Sequence, residues 1–209
     1  MNFTDRDLDL LETLARRIRL PAVSQVTALW WPDVRVRTTP RSRLKELAAA
    51  GWLELHRVNA RPLPTTDEPL IVWQPGEDDQ DAERAAAKIR ERRSIAAEPI
   101  EVCVASAGAA NLFGSSARGL PSVERRDHDL RLAAAYCYYR RTRPQLAKRW
   151  IGEHARLPDR DLSRNPDAVL VDAHGRIARV IESAGEWNAS QINAFHEFCF
   201  ANDLPYELW

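Results

Sequence analysis

Apolar positions recur at helical spacing three times before Gly51. From Thr4 to Ile18, the residues Leu8, Leu11, Leu14 and Ile18 fall on one stripe, and Thr4 with Asp7 supplies a capping box at the start. A Leu20–Pro21 break follows, and Ala22 to Trp31 predicts a second helix that buries Val26, Leu29 and Trp30. The third helix opens at Thr39, an N-cap residue, with Pro40 in the first position, where a missing N–H costs nothing. Its stripe is Leu44, Leu47 and Ala48, and Gly51 can end it in a left-handed conformation.

The spacing then changes. Trp52 to Val58 alternates like a strand, Arg61 to Pro69 is turn material, and Leu70 to Gln74 predicts a second strand. Three helices and a β-hairpin in that order predict a winged helix-turn-helix over residues 1–76. Gln74 to Asp81 carries Pro, Gly and acids and marks a boundary. Residues 77–98 predict a linker helix rich in Ala, Glu and Arg, with a thin apolar stripe suited to a linker or a dimer contact.

Residues 99–209 predict an α/β domain with a small mixed sheet, which makes the chain α+β as a whole. Pro99 to Ala105 predicts a strand, and a Gly/Ser-rich loop follows it. Arg126 to Thr142 predicts a helix with Leu130, Ala133, Ala134, Cys137 and Tyr138 on one side. The Arg143–Leu157 stretch predicts a further helix or a long turn. Asn165 to Gly185 predicts two strands around a His174–Gly175 turn, Asn188 to Asp203 a helix burying Ile192, Phe195, Phe198 and Cys199, and Leu204 to Trp209 a closing strand.

Charge sharpens the picture. The chain is neutral, with 30 basic and 30 acidic residues, yet Leu14 to Leu63 holds ten Arg or Lys against three acids. A basic patch on one module of a neutral protein is the footprint of phosphate contacts. The exposed face of the third helix presents Ser42, Lys45 and Ala49, flanked by Arg41 and Arg43. It is short in the middle and cationic at its edges, as suits a helix entering the major groove. Arg37 and Thr39 stand at the entry to that helix, and Arg57 and Arg61 on the predicted wing are placed for phosphates. The bland alternative is an amphipathic helix with a solvated basic face. The predicted partner is double-stranded DNA, read as a homodimer, because winged-helix regulators commonly pair to read two half-sites.

Other chemistry is not indicated. The odd set Cys103, Cys137 and Cys199 lies in apolar contexts and reads as buried thiols in a reducing cytoplasm. The five histidines show no metal-ligand spacing, and the Gly/Ser loop lacks both the spacing and the lysine of a P-loop, so no metal and no cofactor are expected. Met1 to Asp9 is too polar for a secretory signal, and no apolar run approaches the ~20 residues of a membrane span. Tyr136, Tyr138, Tyr139, Trp150 and Trp187 are expected in a core or an interface more than against bases.

Two acids are placed suggestively. Asp167 follows Pro166 at the start of one predicted strand, and Glu182 ends its partner, so the hairpin brings two carboxylates together as a Mg²⁺ site would require. The run from Pro166 to Gly185 resembles the PD-(D/E)XK restriction-endonuclease-like core, in which Pro-Asp opens one strand and Glu-x-Lys ends the next. With the N-terminal winged helix and the His128–Arg140 helix ahead of it, the chain resembles the replication-relaxation family. Members occur on plasmids and other mobile elements and are inferred to bind DNA. The resemblance assigns the metal-binding positions to Asp167 and Glu182 and the lysine position to Ala184, which can neither orient a water nor stabilise charge on phosphorus. Lys148, Arg179 and Gln191 are the conceivable substitutes. The resulting expectation is a DNA-binding regulator or accessory factor in transcription, replication or transfer. Its nuclease-like domain would be degenerate and would serve dimerisation or docking of a protein partner. The alternative is a Mg²⁺-dependent endonuclease targeted by the winged helix.

Overall fold

The computed structural model describes residues 2–32, 39–61, 68–116, 119–155 and 165–209. It is a mixed α/β structure with two sheets. Helix α1 (Asp5–Arg16) starts at the expected capping box, with the Asp7 carboxylate accepting the Thr4 amide at 2.8 Å. Its buried stripe is Leu10, Leu11 and Leu14, while Leu8 is 39% exposed; the helix is rotated so that Leu10 takes the place expected for Leu8. Helix α2 (Val23–Trp30) buries Val26 and Trp30. Helix α3 (Pro40–Ala49) is capped by the Thr39 hydroxyl, which accepts the Ser42 amide at 3.2 Å, and it buries Leu44 and Leu47 completely. Gly51 at φ 77° turns the chain out of α3, a conformation in which any side chain would be strained.

The expected wing is corrected. Strand β1 (Leu53–Ala60) does not pair with β2 (Ile71–Trp73). It pairs antiparallel with β3 (Glu98–Ala105) over eight residues, with Arg57 opposite Glu101. Ala22, just ahead of α2, adds a bridge to Val102 of β3. Strand β2 instead forms the edge of the second sheet, antiparallel to β7 (Tyr206–Leu208). The physical reason lies in side-chain demand. Ile71 and Trp73 are fully apolar on one face and need the aromatic layer of the second sheet, where Trp73 stacks on Tyr206 with ring centroids 5.7 Å apart. β1 needs a long, half-polar partner with a compensating charge, which β3 provides.

The second sheet runs β2-β7-β6-β5-β4, with β4 (Trp150–Gly152), β5 (Ala168–Val171) and β6 (Ile177–Glu182) antiparallel and β6 parallel to β7 through α8 (Ala189–Ala201). Helix α4 (Ala82–Ser94), read from sequence as a linker or dimer contact, packs on this sheet beside α8 and buries Ala82, Ala85, Ala86 and Ile89. Within the loop expected after β3 lies the short helix α5 (Ala107–Leu112). Helix α6 (Val123–Thr142) covers the opposite face of the sheet, and the stretch after it forms α7 (Pro144–Ala147) and then β4.

One core joins the N-terminal helices to α6 and the sheet: Leu10, Leu14, Trp30 and Leu44 belong to the same cluster as Tyr136, Trp150, Leu170 and Ile181. The Trp150 indole donates to the Arg17 carbonyl at 3.0 Å. A Cβ on Gly152 would lie 2.5 Å from that same carbonyl oxygen. Gly152→Ala is therefore expected to force β4 away from the end of α1 and to cost about 1–3 kcal/mol, measured by urea unfolding.

Candidate nucleic-acid interface and carboxylate centre

On α3, Arg41, Ser42, Lys45 and Ala49 are exposed, as the amphipathic pattern predicts. The Arg41 guanidinium meets Glu101 of β3 at 2.5 Å in a surface pair that a phosphate could exchange at little cost. Lys45, His56 and Arg57 stand beside it around a groove of about 280 Å³ between α3 and the β1–β3 ribbon, floored by Val23, Leu44, Leu55 and Val102. Arg37 lies outside the described residues, as does most of the turn expected at the wing tip. Thr39 is committed to capping α3.

Two expected contact residues point elsewhere. Arg43 reaches back to α1, where its Nε and Nη2 donate to the two oxygens of Asp7 at 3.1 and 2.6 Å, and it also bonds Glu46 and the Asn2 carbonyl. Those hydrogen bonds, Asp7 first, raise the Arg43 pKa further. Burial alone would push the Asp7 carboxyl up, but the bonds from Arg43 and Thr4 hold it below its ordinary value. Arg61 is turned to α6, where its backbone amide and guanidinium bind Asp127. The cationic face is thus narrower than the sequence pattern predicts, and Arg43 fixes the angle of α3 instead of extending from it.

The two expected carboxylates do converge. Asp167 precedes β5 and Glu182 closes β6, and the Glu182 side chain reaches Asp167. His128, on the first turns of α6, joins them, a residue the sequence pattern does not single out. Its Nδ1–H donates to Asp129 at 3.0 Å and its Nε2–H to Asp167 at 2.9 Å. The Ser183 amide donates to the same Asp167 oxygen at 2.8 Å. Burial works against the imidazolium, but the bonds to Asp129 and Asp167 outweigh it and push the His128 pKa up to about 9. Burial would also raise the Asp167 pKa. The His128 hydrogen bond and charge, followed by Glu182 and Ser183, hold it below the ordinary carboxylate value. Arg125 extends the network to Glu153, whose pKa is lowered by His154 and Arg125 against the effect of burial.

This donor set does not fit a divalent cation. The His128 imidazole and the Ser183 amide already occupy one Asp167 oxygen, and the Ala184 side chain is buried with no polar atom to offer. Among the described residues no group of three or more His, Cys, Asp or Glu is arranged to hold a metal ion. The conceivable substitutes for the lysine are occupied or remote. Arg179 binds the buried Glu207 at 2.5 Å, a carboxylate that also accepts from Tyr139 at 2.7 Å and Trp209 at 3.0 Å. Gln191 closes the capping box of α8, and Lys148 is exposed beyond the other end of α6, by a groove with Asp9 and Arg140.

The aromatics are mostly structural, with Tyr136, Tyr139 and Trp150 fully buried and Trp187 packed on Phe195. Cys103, Cys137 and Cys199 are buried, and burial pushes the Cys103 thiol up to about 12. No helix among the described residues is long and apolar enough to cross a membrane. Comparison with known proteins finds no matching family model, no matching curated protein and no matching solved structure.

Proposed function

We propose that this chain binds double-stranded DNA through α3 and acts as a regulator or accessory factor in transcription, or in the replication or transfer of a mobile element, as a member of the replication-relaxation family. The observation that carries the reading is the face formed by Arg41, Ser42 and Lys45 on α3 with Arg57 on the neighbouring strand. It is exposed, cationic and free of bulky side chains at its centre. The helix order, the Ala22 bridge and the two-stranded ribbon give it the setting of a winged helix, with the ribbon built from β1 and β3. Arg41, Lys45 and Arg57 contact phosphates or base edges, Ser42 approaches the groove floor, and Arg43 and Thr39 hold the helix in position. A homodimer reading two half-sites and a cytoplasmic location belong to the same proposal.

The C-terminal sheet is read as a degenerate nuclease-like platform for dimerisation or protein docking. The endonuclease alternative draws on the convergence of Asp167 and Glu182, and the imidazolium of His128 and the absent lysine oppose it. Duplex binding by Arg41→Ala/Lys45→Ala/Arg57→Ala tests the face. The triple variant is expected to bind at least about tenfold more weakly at 0.1 M salt, and with a shallower salt dependence, while melting like the parent. Unchanged affinity would remove α3 from the interface.

A further inference from the structure

A second concentration of arginine lies where the end of β1, the last turn of α4 and the first turns of α6 meet. Arg61 donates its backbone amide to Asp127 at 2.8 Å, its guanidinium to the same carboxylate, and its Nε to the Arg93 carbonyl at 3.0 Å. These bonds tie Arg61 to the last turn of α4 on one side and to the first turns of α6 on the other. Arg92 precedes Arg93 and is half-buried. Arg131 stands one turn beyond Asp127, also half-buried, with Nη2 3.2 Å from where a side chain on Gly185 would begin.

The acids at this corner are already engaged, Asp127 by Arg61 and Glu186 by Arg93 at 3.2 Å. Among the described residues, neither Arg92 nor Arg131 makes a hydrogen bond or an ion pair, and the Arg131 Nε is shielded from solvent with no acceptor. Leaving such groups unpaired is costly, and simple hydrophobic residues would fill the space without that cost. Burial pushes both guanidinium groups below their ordinary pKa. On Arg131 the charge of Asp127 opposes this, and Arg92 and Arg61 reinforce it.

We propose that Arg92 and Arg131, bordered by Arg61, form a binding site for a phosphate group. Two planar guanidinium forks offer paired N–H donors, the geometry that matches phosphate oxygens, and Gly185 leaves the approach to Arg131 without a side chain. The charge left over on Arg92 and Arg131 matches the roughly −1.5 to −2 of a phosphate monoester better than the single charge of a carboxylate. Inorganic phosphate, a phosphate monoester and a DNA backbone phosphate share this chemistry. The site stands whether or not α3 reads DNA.

The test is thermal melting of the full chain in rising inorganic phosphate, compared with sodium chloride at equal ionic strength. The wild-type midpoint is expected to rise saturably with phosphate and not with chloride. Arg92→Gln and Arg131→Gln should each weaken the phosphate response about tenfold, while Arg90→Gln, on the exposed side of α4, should keep it. Without phosphate, the first two variants should melt at or above the wild-type temperature, because a repelling cation has gone. A merely structural arginine would give the opposite. A wild-type midpoint that follows the chloride series, or variants that respond to phosphate like the parent, would overturn the proposal. Duplex binding by Arg131→Gln separates the sources. An affinity loss that saturating phosphate abolishes assigns the site to the DNA backbone, and unchanged duplex affinity assigns it to free phosphate or a monoester.

Discussion

Asp7→Ala is expected to destabilise the fold by about 3 kcal/mol, the lower end of the range for removing one member of a buried ion pair. The Asp7 side chain is 2% exposed and that of Arg43 19%, so the pair is only weakly screened. The variant loses both bonds from Arg43 and the capping contact with the Thr4 amide, which alone contributes about 1 kcal/mol. Arg43 keeps Glu46 and the Asn2 carbonyl, which is why the cost stays below the top of the range. The carboxyl is held below its ordinary pKa of 3.8, so its contribution is complete above that value and is lost as pH falls through the lowered native pKa. Urea unfolding at neutral and acidic pH should show the wild type and Asp7→Ala converging on acidification. Because the same contact sets the angle of α3, the variant should also bind duplex more weakly while keeping Arg41, Lys45 and Arg57 intact.

The second large effect is alkaline. His128 is charged in the fold up to about pH 9, against an ordinary value of 6.5. A raised pKa stabilises fully below pH 6.5, and the contribution is lost as pH rises through about 9. Its full size is on the order of 3 kcal/mol by linkage, for a side chain 19% exposed. Wild-type stability should therefore decline between those limits. His128→Gln should abolish that slope and be less stable at pH 6, because Asp129 and Asp167 lose their cation. A flat wild-type profile across this window would show that the imidazole is neutral in the fold and that the carboxylate centre is organised differently.

Local signals in the sequence were strong where a single element satisfies itself. The capping box at Thr4, the Thr39–Pro40 start of α3 and the Gly51 exit all depend on neighbours a few residues away, and each sits where the pattern places it. Strand pairing depends on distant partners. The apolar run from Leu70 to Trp73 marks a strand, but not that Trp73 prefers Tyr206 over the edge of β1. The thin stripe of α4 hid a packed helix, because Ala85 and Ala86 bury themselves closely against the sheet without bulky side chains.

The sites were legible in the same uneven way. Asp167 and Glu182 were found because a hairpin makes their meeting a matter of register. His128 was hidden, because its approach to Asp167 depends on how α6 lies across the sheet. The adjacent His-Asp pair, one turn into a helix that also carries Arg125, is the signal that could have flagged it. Arg43 looked like its neighbours Arg41 and Lys45 in sequence, and only the position of α1 distinguishes it.

The central claim, duplex recognition through α3, is tested most directly by measuring the affinity of the purified chain for labelled DNA fragments across a salt series with Mg²⁺ present. The fragments should include the region upstream of its own gene. The account predicts tight binding to a particular fragment, log affinity falling linearly with log salt, and DNA that stays intact. Affinity that is absent or indifferent to salt on every fragment would contradict it, and cleaved DNA would return Asp167 and Glu182 to the role of catalytic carboxylates.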